Sequence, residues 1–278
     1  MFRALLAARS ALGHHHNIAL RPCLAHASRS PSNHAFAPCW GVRAMASSTG
    51  ADAIPQQEEF MGGSTSRLFD VAPGSTLKVT LPTIAANFTA YNGPLETVAL
   101  RTTWDFAAPK GAQDPFAYSR AALDETGTAV VEVVAAPEVK TDGSNGYPAI
   151  TAWVPERFCS VSLLTAGGDV SLSNMTEATL RLFTAGGNVA LGSIKGAIAE
   201  IETGGGSVKA KVLSAGLVLR TAGGSVDVGR VVSDKASISL SGGAAKIDAL
   251  YADVADVETG GGDFTVKAMR SSQRGVVR

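Results

Sequence analysis

Glu200 and Glu202 are the residues whose type and spacing come closest to a catalytic pair. Two positions apart on an extended strand, they project to the same side, about 7 Å from each other. Glycoside hydrolysis uses two carboxyl groups roughly 5 to 10 Å apart, one kept protonated to donate to the leaving oxygen. The pair therefore opens one enzymatic reading, a carbohydrate-active glycosidase or lyase. It has to be weighed against everything around it.

Other reactive side chains are segregated. All five histidines (His14, His15, His16, His26, His34) and two of the three cysteines (Cys23, Cys39) precede Asp52, the first acid. The same stretch holds Arg3, Arg9, Arg21, Arg29 and Arg43 and no lysine. An arginine-bearing, Ser- and Ala-rich, acid-free N-terminus has the composition of an organelle transit peptide. Its opening, MFRALLAARSAL, can form a helix with Leu5, Leu6 and Leu12 on one face. Arginines interrupt each candidate apolar core, which argues against a secretory signal. The expected destination is the mitochondrion, with the plastid as alternative, and cleavage falls at about residue 45 to 50.

Cleavage removes most of the available chemistry. The mature chain keeps 24 acids against 19 bases, no histidine, and Cys159 as its one cysteine. No intramolecular disulfide can form. Serine or cysteine nucleophiles lack an imidazole to carry the proton. Histidine- or cysteine-held zinc, haem and iron–sulfur sites go the same way. His14 to His16 read as incidental to the presequence. Cys159 reads as a small, buried, apolar side chain rather than a redox sensor.

Composition narrows the class further. Over 278 residues, 24 Lys and Arg balance 24 Asp and Glu, so no global charge recruits nucleic acid or an anionic membrane. Charged residues make up 17%, aromatics 6%, and there are 30 glycines, which argues against helical bundles, coiled coils and charged disorder. No apolar run reaches roughly 18 residues, so no transmembrane helix is expected.

Alternation places strands in Leu68 to Pro82, Glu96 to Trp104, Thr128 to Ala135 and Ala149 to Val154. Asp105 to Gly127 and Pro137 to Pro148 read as surface loops. From Val161 the chain repeats itself. TAGGDV at Thr165, TAGGNV at Thr184, TGGGSV at Thr203, TAGGSV at Thr221, LSGGAA at Leu240 and TGGGDF at Thr259 are spaced by 19, 19, 18, 19 and 19 residues. Such a period decides the architecture.

The columns of the repeat carry the physics. Two residues before each anchor stand Leu163, Leu182, Ile201, Leu219, Ile238 and Val257, all apolar. After the glycines come the columns led by Val170 and Leu172, then one through Met175, Ile194, Leu213, Val231, Leu250 and Met269. Period-two alternation gives each unit strands with one face inward. A unit this short cannot bury that face alone. It must stack on the next copy, at about 4.8 Å, into a parallel β-solenoid of 18–19-residue coils.

The paired glycines fit corners that need φ > 0 or close approach of neighbouring coils. No phosphate-loop pattern surrounds them. Asp169 and Asp263 follow glycines, but Asn188, Ser207, Ser225 and Ala244 fill the same column, so a calcium roll is not expected.

This repeat, V-x-L-x-T-x-G-G-x-V-x-V, resembles the adhesin-domain family of bacterial β-solenoids, named for likeness to autotransporter adhesin heads. The resemblance spans Val161 to Met269 and more weakly Leu68 to Val154. It implies a single-stranded, right-handed, β-helix-like rod and supplies no catalytic residues, cofactor or metal. Fold likeness is a poor warrant for adhesion.

The repeat also decides between the readings of Glu200 and Glu202. Arg181 precedes Glu200 by one coil and Arg220 follows Glu202 by one coil. Lys209, Asp227 and Lys246 occupy successive coils, and Asp248 precedes Lys267. Opposite charges stacked one coil apart read as cross-strand pairs. An arginine favours the charged carboxylate and suits it poorly to donate a proton. Tyr251 is the one Tyr or Trp in the repeats, so no aromatic platform for sugars or bases is visible.

The expected organisation is a transit peptide (1–48), a linker (49–66), a β-rich N-terminal portion and cap (67–155), solenoid repeats (156–270) and a tail (271–278). The expected role is a non-catalytic scaffold or adhesin-like binding surface. After Met269 the sequence offers only SSQRGVVR, too short for a capping helix. An uncapped last coil would present unpaired N–H and C=O groups and a bare core. Either further coils belong beyond Arg278, as in a truncated gene model, or the open edge docks on a protein partner or a second copy of the chain.

Overall fold

The structure is a computed structural model and describes residues 63–106, 114–122, 129–137, 139 and 147–277. The expected transit peptide and the linker up to residue 62 lie outside the described residues. In chain order the first seven strands are β1 (Ser64–Asp70), β2 (Thr76–Leu81), β3 (Asn87–Gly93), β4 (Thr97–Thr103), β5 (Phe116–Ala122), β6 (Ala129–Ala135) and β7 (Ala149–Pro155). The repeats supply β8 (Ser160–Thr165), β9 (Val170–Leu172), β10 (Met175–Thr184), β11 (Val189–Thr203), β12 (Val208–Thr221), β13 (Val226–Leu240), β14 (Ala245–Glu258) and β15 (Phe264–Val277). No helix occurs among the described residues.

The repeats stack in parallel and in register, β11 on β10, then β12, β13, β14 and β15. One inward column shows the logic. Val79, Leu163, Leu182, Ile201, Leu219, Ile238 and Val257 stand opposite one another on successive layers. Each is 1% exposed or less. Burying such a side chain contributes about 1.5–3 kcal/mol, and the alternation repeats it in every coil.

The solenoid begins earlier than the repeats. β2 pairs in parallel with β8, and β3 with β9, so residues 76–93 form a layer directly beneath the first repeat. β6 and β7 stack on the other side of that layer, also in parallel. The later coil therefore lies outside the earlier one, and the order of layers is not the order of the chain. Arg157 bridges to Thr176 in parallel, which carries the chain from β7 past the β2–β3 layer into β8. The stretch expected as a β-rich cap is thus largely solenoid.

Antiparallel strands close this end. β4 pairs with β7 and β1 with β4, while β5 pairs with β6. Trp104 meets Phe116 edge to face at 6.1 Å, and the Arg67 guanidinium lies 5.7 Å from the centre of the Tyr118 ring. β5 falls inside the span expected as loop, because its edge position needs no strong apolar alternation. The far end also differs from expectation. Ser271 to Val277 is no tail: it continues β15 and pairs with β14 through Val257–Val277.

Four corners are tied by their threonines. Thr165, Thr184, Thr203 and Thr221 are buried in one column with Leu81 before them and Leu240 after. The Thr203 hydroxyl donates to the Gly206 carbonyl at 2.8 Å, and Thr165 donates to that of Gly167 at 2.7 Å. The second glycine of each pair has a steric reason. A Cβ on Gly187 would lie 2.1 Å from the Gly168 carbonyl oxygen, and one on Gly206 1.5 Å from that of Gly187. Nothing stands within 4 Å of a Cβ on Gly186, Gly205, Gly223 or Gly242. The column after the glycines forms a hydrogen-bonded ladder. Asn87 accepts from the Asp169 N–H at 2.9 Å, Asp169 from Asn188 at 2.8 Å, and Asn188 from Ser207 at 3.2 Å.

Candidate functional site

Strand alternation sets which side chains reach the surface. In β11, Ala199 and Ile201 point into the core, so Glu200 and Glu202 point out. The register sets Glu200 beside Arg181 and Glu202 beside Arg220. The ion pairs close at 3.7 Å and 3.8 Å. Both expected partners are therefore in place, and each carboxylate has its own guanidinium. Glu202 lines a shallow groove with Leu164, Phe183 and Arg220, and Glu200 does not line it.

The other expected pairs follow the same columns. Asp227 and Lys246 are 4.0 Å apart, and Asp248 and Lys267 2.7 Å. The hydrogen bond and charge of Lys267 hold the Asp248 carboxyl below its ordinary range. Lys209 lies opposite Asp227 in the register, but Asp227 makes its ion pair on the other side, with Lys246. A further pair, Lys78 with Glu132 at 2.8 Å, joins β2 to β6. Sequence periodicity could not show it, because these layers are out of chain order. Exposed pairs of this kind contribute little to stability and act more on register and surface neutrality.

A different surface lies where each coil turns toward its next anchor strand. Register shifts recur there, after Thr176, after Lys195, after Ser214 and after Ala252. The extra residues recess the backbone into a groove of about 500 Å³ floored by Gly196, Ala197, Ala215 and Gly216. Lys195, Ser214, Val232, Tyr251 and Arg270 follow one another along its side in strict register. Val232 is 41% exposed and Tyr251 40%. By sequence Tyr251 is an isolated aromatic. Folding gives it an apolar neighbour and a groove.

Cys159 is 2% exposed, and burial pushes its thiol up to about 12. That is the buried, unreactive state expected of it. Burial likewise raises the Tyr118 hydroxyl, which hydrogen-bonds to Thr102 in the cap. No group of three or more metal-ligating side chains converges among the described residues.

The inward face of β15 is open to solvent. Phe264 and Val266 are half-buried, and Met269 and Val277 are 39% and 47% exposed. Their equivalents one layer back, Ala245, Ile247, Leu250 and Val257, are buried.

No family model matches the chain, and no curated protein matches it in sequence. Among solved structures it is similar to a "putative adhesin" from Bacteroides fragilis, with 13% identity and a TM-score of 0.45, over 77% of this chain and 97% of that one. It is also similar to a "putative lipid binding protein" from Parabacteroides distasonis (12%, TM-score 0.29, 78% and 96% covered). A "putative adhesin" from Parabacteroides merdae is similar too (13%, TM-score 0.29, 78% and 95% covered). None of these likenesses assigns a ligand or an activity to this chain.

Proposed function

We propose that this chain is a non-catalytic β-solenoid that serves as a scaffold or binding surface inside an organelle, the mitochondrion first and the plastid as alternative. The observation that carries the non-catalytic part is the pairing of Glu200 with Arg181 and of Glu202 with Arg220. A glycosidase pair faces one shared cleft, whereas Glu202 lines a groove that Glu200 does not, and each carboxylate is engaged by its own arginine. The acid-free, arginine-bearing N-terminus supports the organelle address.

The binding partner this reading favours is a second copy of the chain. Among the described residues β15 pairs on one side only, with β14, and its inward side chains Phe264, Val266, Met269 and Val277 are half-buried or exposed. Two copies meeting by their β15 ends would be related by a two-fold axis and would close as a dimer.

Proximity labelling with the tagged full-length chain tests compartment and partners together. The expected result is enrichment of mitochondrial or plastid matrix proteins together with the untagged chain itself. A purely cytosolic set overturns the organelle address. Absence of the untagged chain overturns the self-pairing.

A further inference from the structure

The groove beside Tyr251 differs from the rest of the rod. On the flat faces, outward charges pair along the axis. Lys195, Asp234 and Arg270, which line the groove and its extension, belong to none of those pairs. A second depression shares Gly196, Ala197 and Ser214 with the first, so the groove runs on toward Thr176. From Thr176 to Arg270 the column makes five steps of about 4.8 Å, or about 24 Å. The cleft is long, narrow and open, so it suits a chain rather than a compact molecule.

Its walls have a definite chemistry. Val232 and Tyr251 stand on consecutive coils and make an exposed apolar plate. Two residues further round the same corner stand Asp234 and Asp253. The Ser272 hydroxyl donates to Asp253 Oδ1, which fixes that carboxylate in place. The floor is built from small residues, Gly196, Ala197, Ala215 and Gly216, with no side chain beyond Cβ. An aromatic plate beside carboxylate acceptors takes a ligand with flat C–H faces and many hydroxyl donors.

Competing chemistries fit less well. With Glu177, Asp234 and Asp253 set against Lys195 and Arg270, the lining has no net positive charge to hold a phosphate backbone. A peptide strand finds no free sheet edge here, because the coils on either side already pair. An acyl chain would lie against Asp234 and Asp253 in an open cleft.

We propose that this groove binds a neutral linear oligosaccharide along the rod axis, one ring against Tyr251 and hydroxyls donating to Asp234 and Asp253. The proposal rests on the binding-surface reading above and names its ligand class. Each carboxylate acts as an acceptor only, and no bond is made or broken.

The test is calorimetric titration of the full-length chain with cellohexaose, xylohexaose and chitohexaose. One of them should bind at about millimolar affinity or tighter. Tyr251→Ala and Asp234→Asn should each weaken that binding at least about tenfold with unchanged melting. Glu202→Ala, on another face, should leave it as it was. Saturation transfer from the Tyr251 ring protons to the sugar needs no variant and should be seen directly. No binding of any probe at about 10 mM overturns the proposal. Binding that Tyr251→Ala leaves unchanged, with no transfer from the ring, overturns this site but leaves the binding-surface reading standing. Shortening of the oligosaccharide overturns both.

Discussion

Gly206 and Gly187 meet on consecutive coils so closely that a Cβ on Gly206 would lie 1.5 Å from the Gly187 carbonyl oxygen. Gly205, its neighbour in the same pair, faces open space and has no positive φ. Two glycines that look equivalent in the repeat therefore have different physical reasons to be there. Gly206→Ala must push whole coils apart and should cost about 3 kcal/mol or more. Gly205→Ala should be neutral, or stabilise by up to about 1 kcal/mol through the unfolded chain. Urea unfolding of the two variants decides it. Equal losses would mean that the corner geometry is wrong.

Facing within β11 gives a second contrast. Ile201 is buried between Leu182 and Leu219, whereas Glu202 points outward to Arg220. Ile201→Asp buries a charge without a partner and should abolish cooperative unfolding. Glu202→Ala loses one exposed ion pair and should shift stability by less than about 1 kcal/mol. Circular dichroism during thermal unfolding separates them, and similar behaviour would show the register to be misread.

These contrasts show what the sequence could and could not disclose. The inward columns of the repeats were legible because a 19-residue step returns the same position to the same face, as at Leu182 and Ile201. The layer made by residues 76–93 was not. Its corner runs from Leu81 through Ile84 to Ala86 without the Thr-x-Gly-Gly anchor, and the coil that stacks outside it comes later in the chain. Asn87 extends the polar ladder to Asp169 across 82 residues, a contact no period could reveal. The ion pairs of Glu200 and Glu202 were legible from spacing alone. The groove beside Tyr251 was not, because it arises from register shifts, which leave little mark on residue type.

Cys159 makes a prediction about pH. Burial raises its thiol from 9.0 in the free side chain to about 12 in the folded chain. The folded state therefore holds the proton more tightly than the unfolded state. Its contribution to stability is fully present below about pH 9 and is lost as pH rises toward 12. The native thiol should resist iodoacetamide at pH 8 and react once the chain is unfolded in urea. Rapid alkylation of the native chain would remove the buried-thiol assignment.

For the N-terminus, the expected mature protein begins between Val42 and Gly50 and carries no histidine. N-terminal sequencing of protein recovered from the organism checks this. An intact Met1 start in the cytosol would remove the organelle proposal.

The C-terminal layer sets the last prediction. Val257 is buried beneath Val277, and Val277 is 47% exposed. The same column is covered in every earlier layer, so the side chain is of the core type, without a layer above it among the described residues. An apolar face bordered by a free strand edge favours addition of another strand. At the opposite end the outer strands β1 and β5 run antiparallel to their neighbours, so β15 meets no parallel coil of its own kind there and head-to-tail stacking is disfavoured. Purified chain from Gly50 to Arg278 should therefore associate, and association should stop at two copies. Phe264→Lys with Val266→Lys places charges on the half-open face and should return the chain toward monomer. Light scattering after size exclusion at about tens of micromolar is the measurement, in the range where weak dimers form. A monodisperse monomer would sink the open-edge argument, and a ladder of higher oligomers would show that the cap does not block the other end.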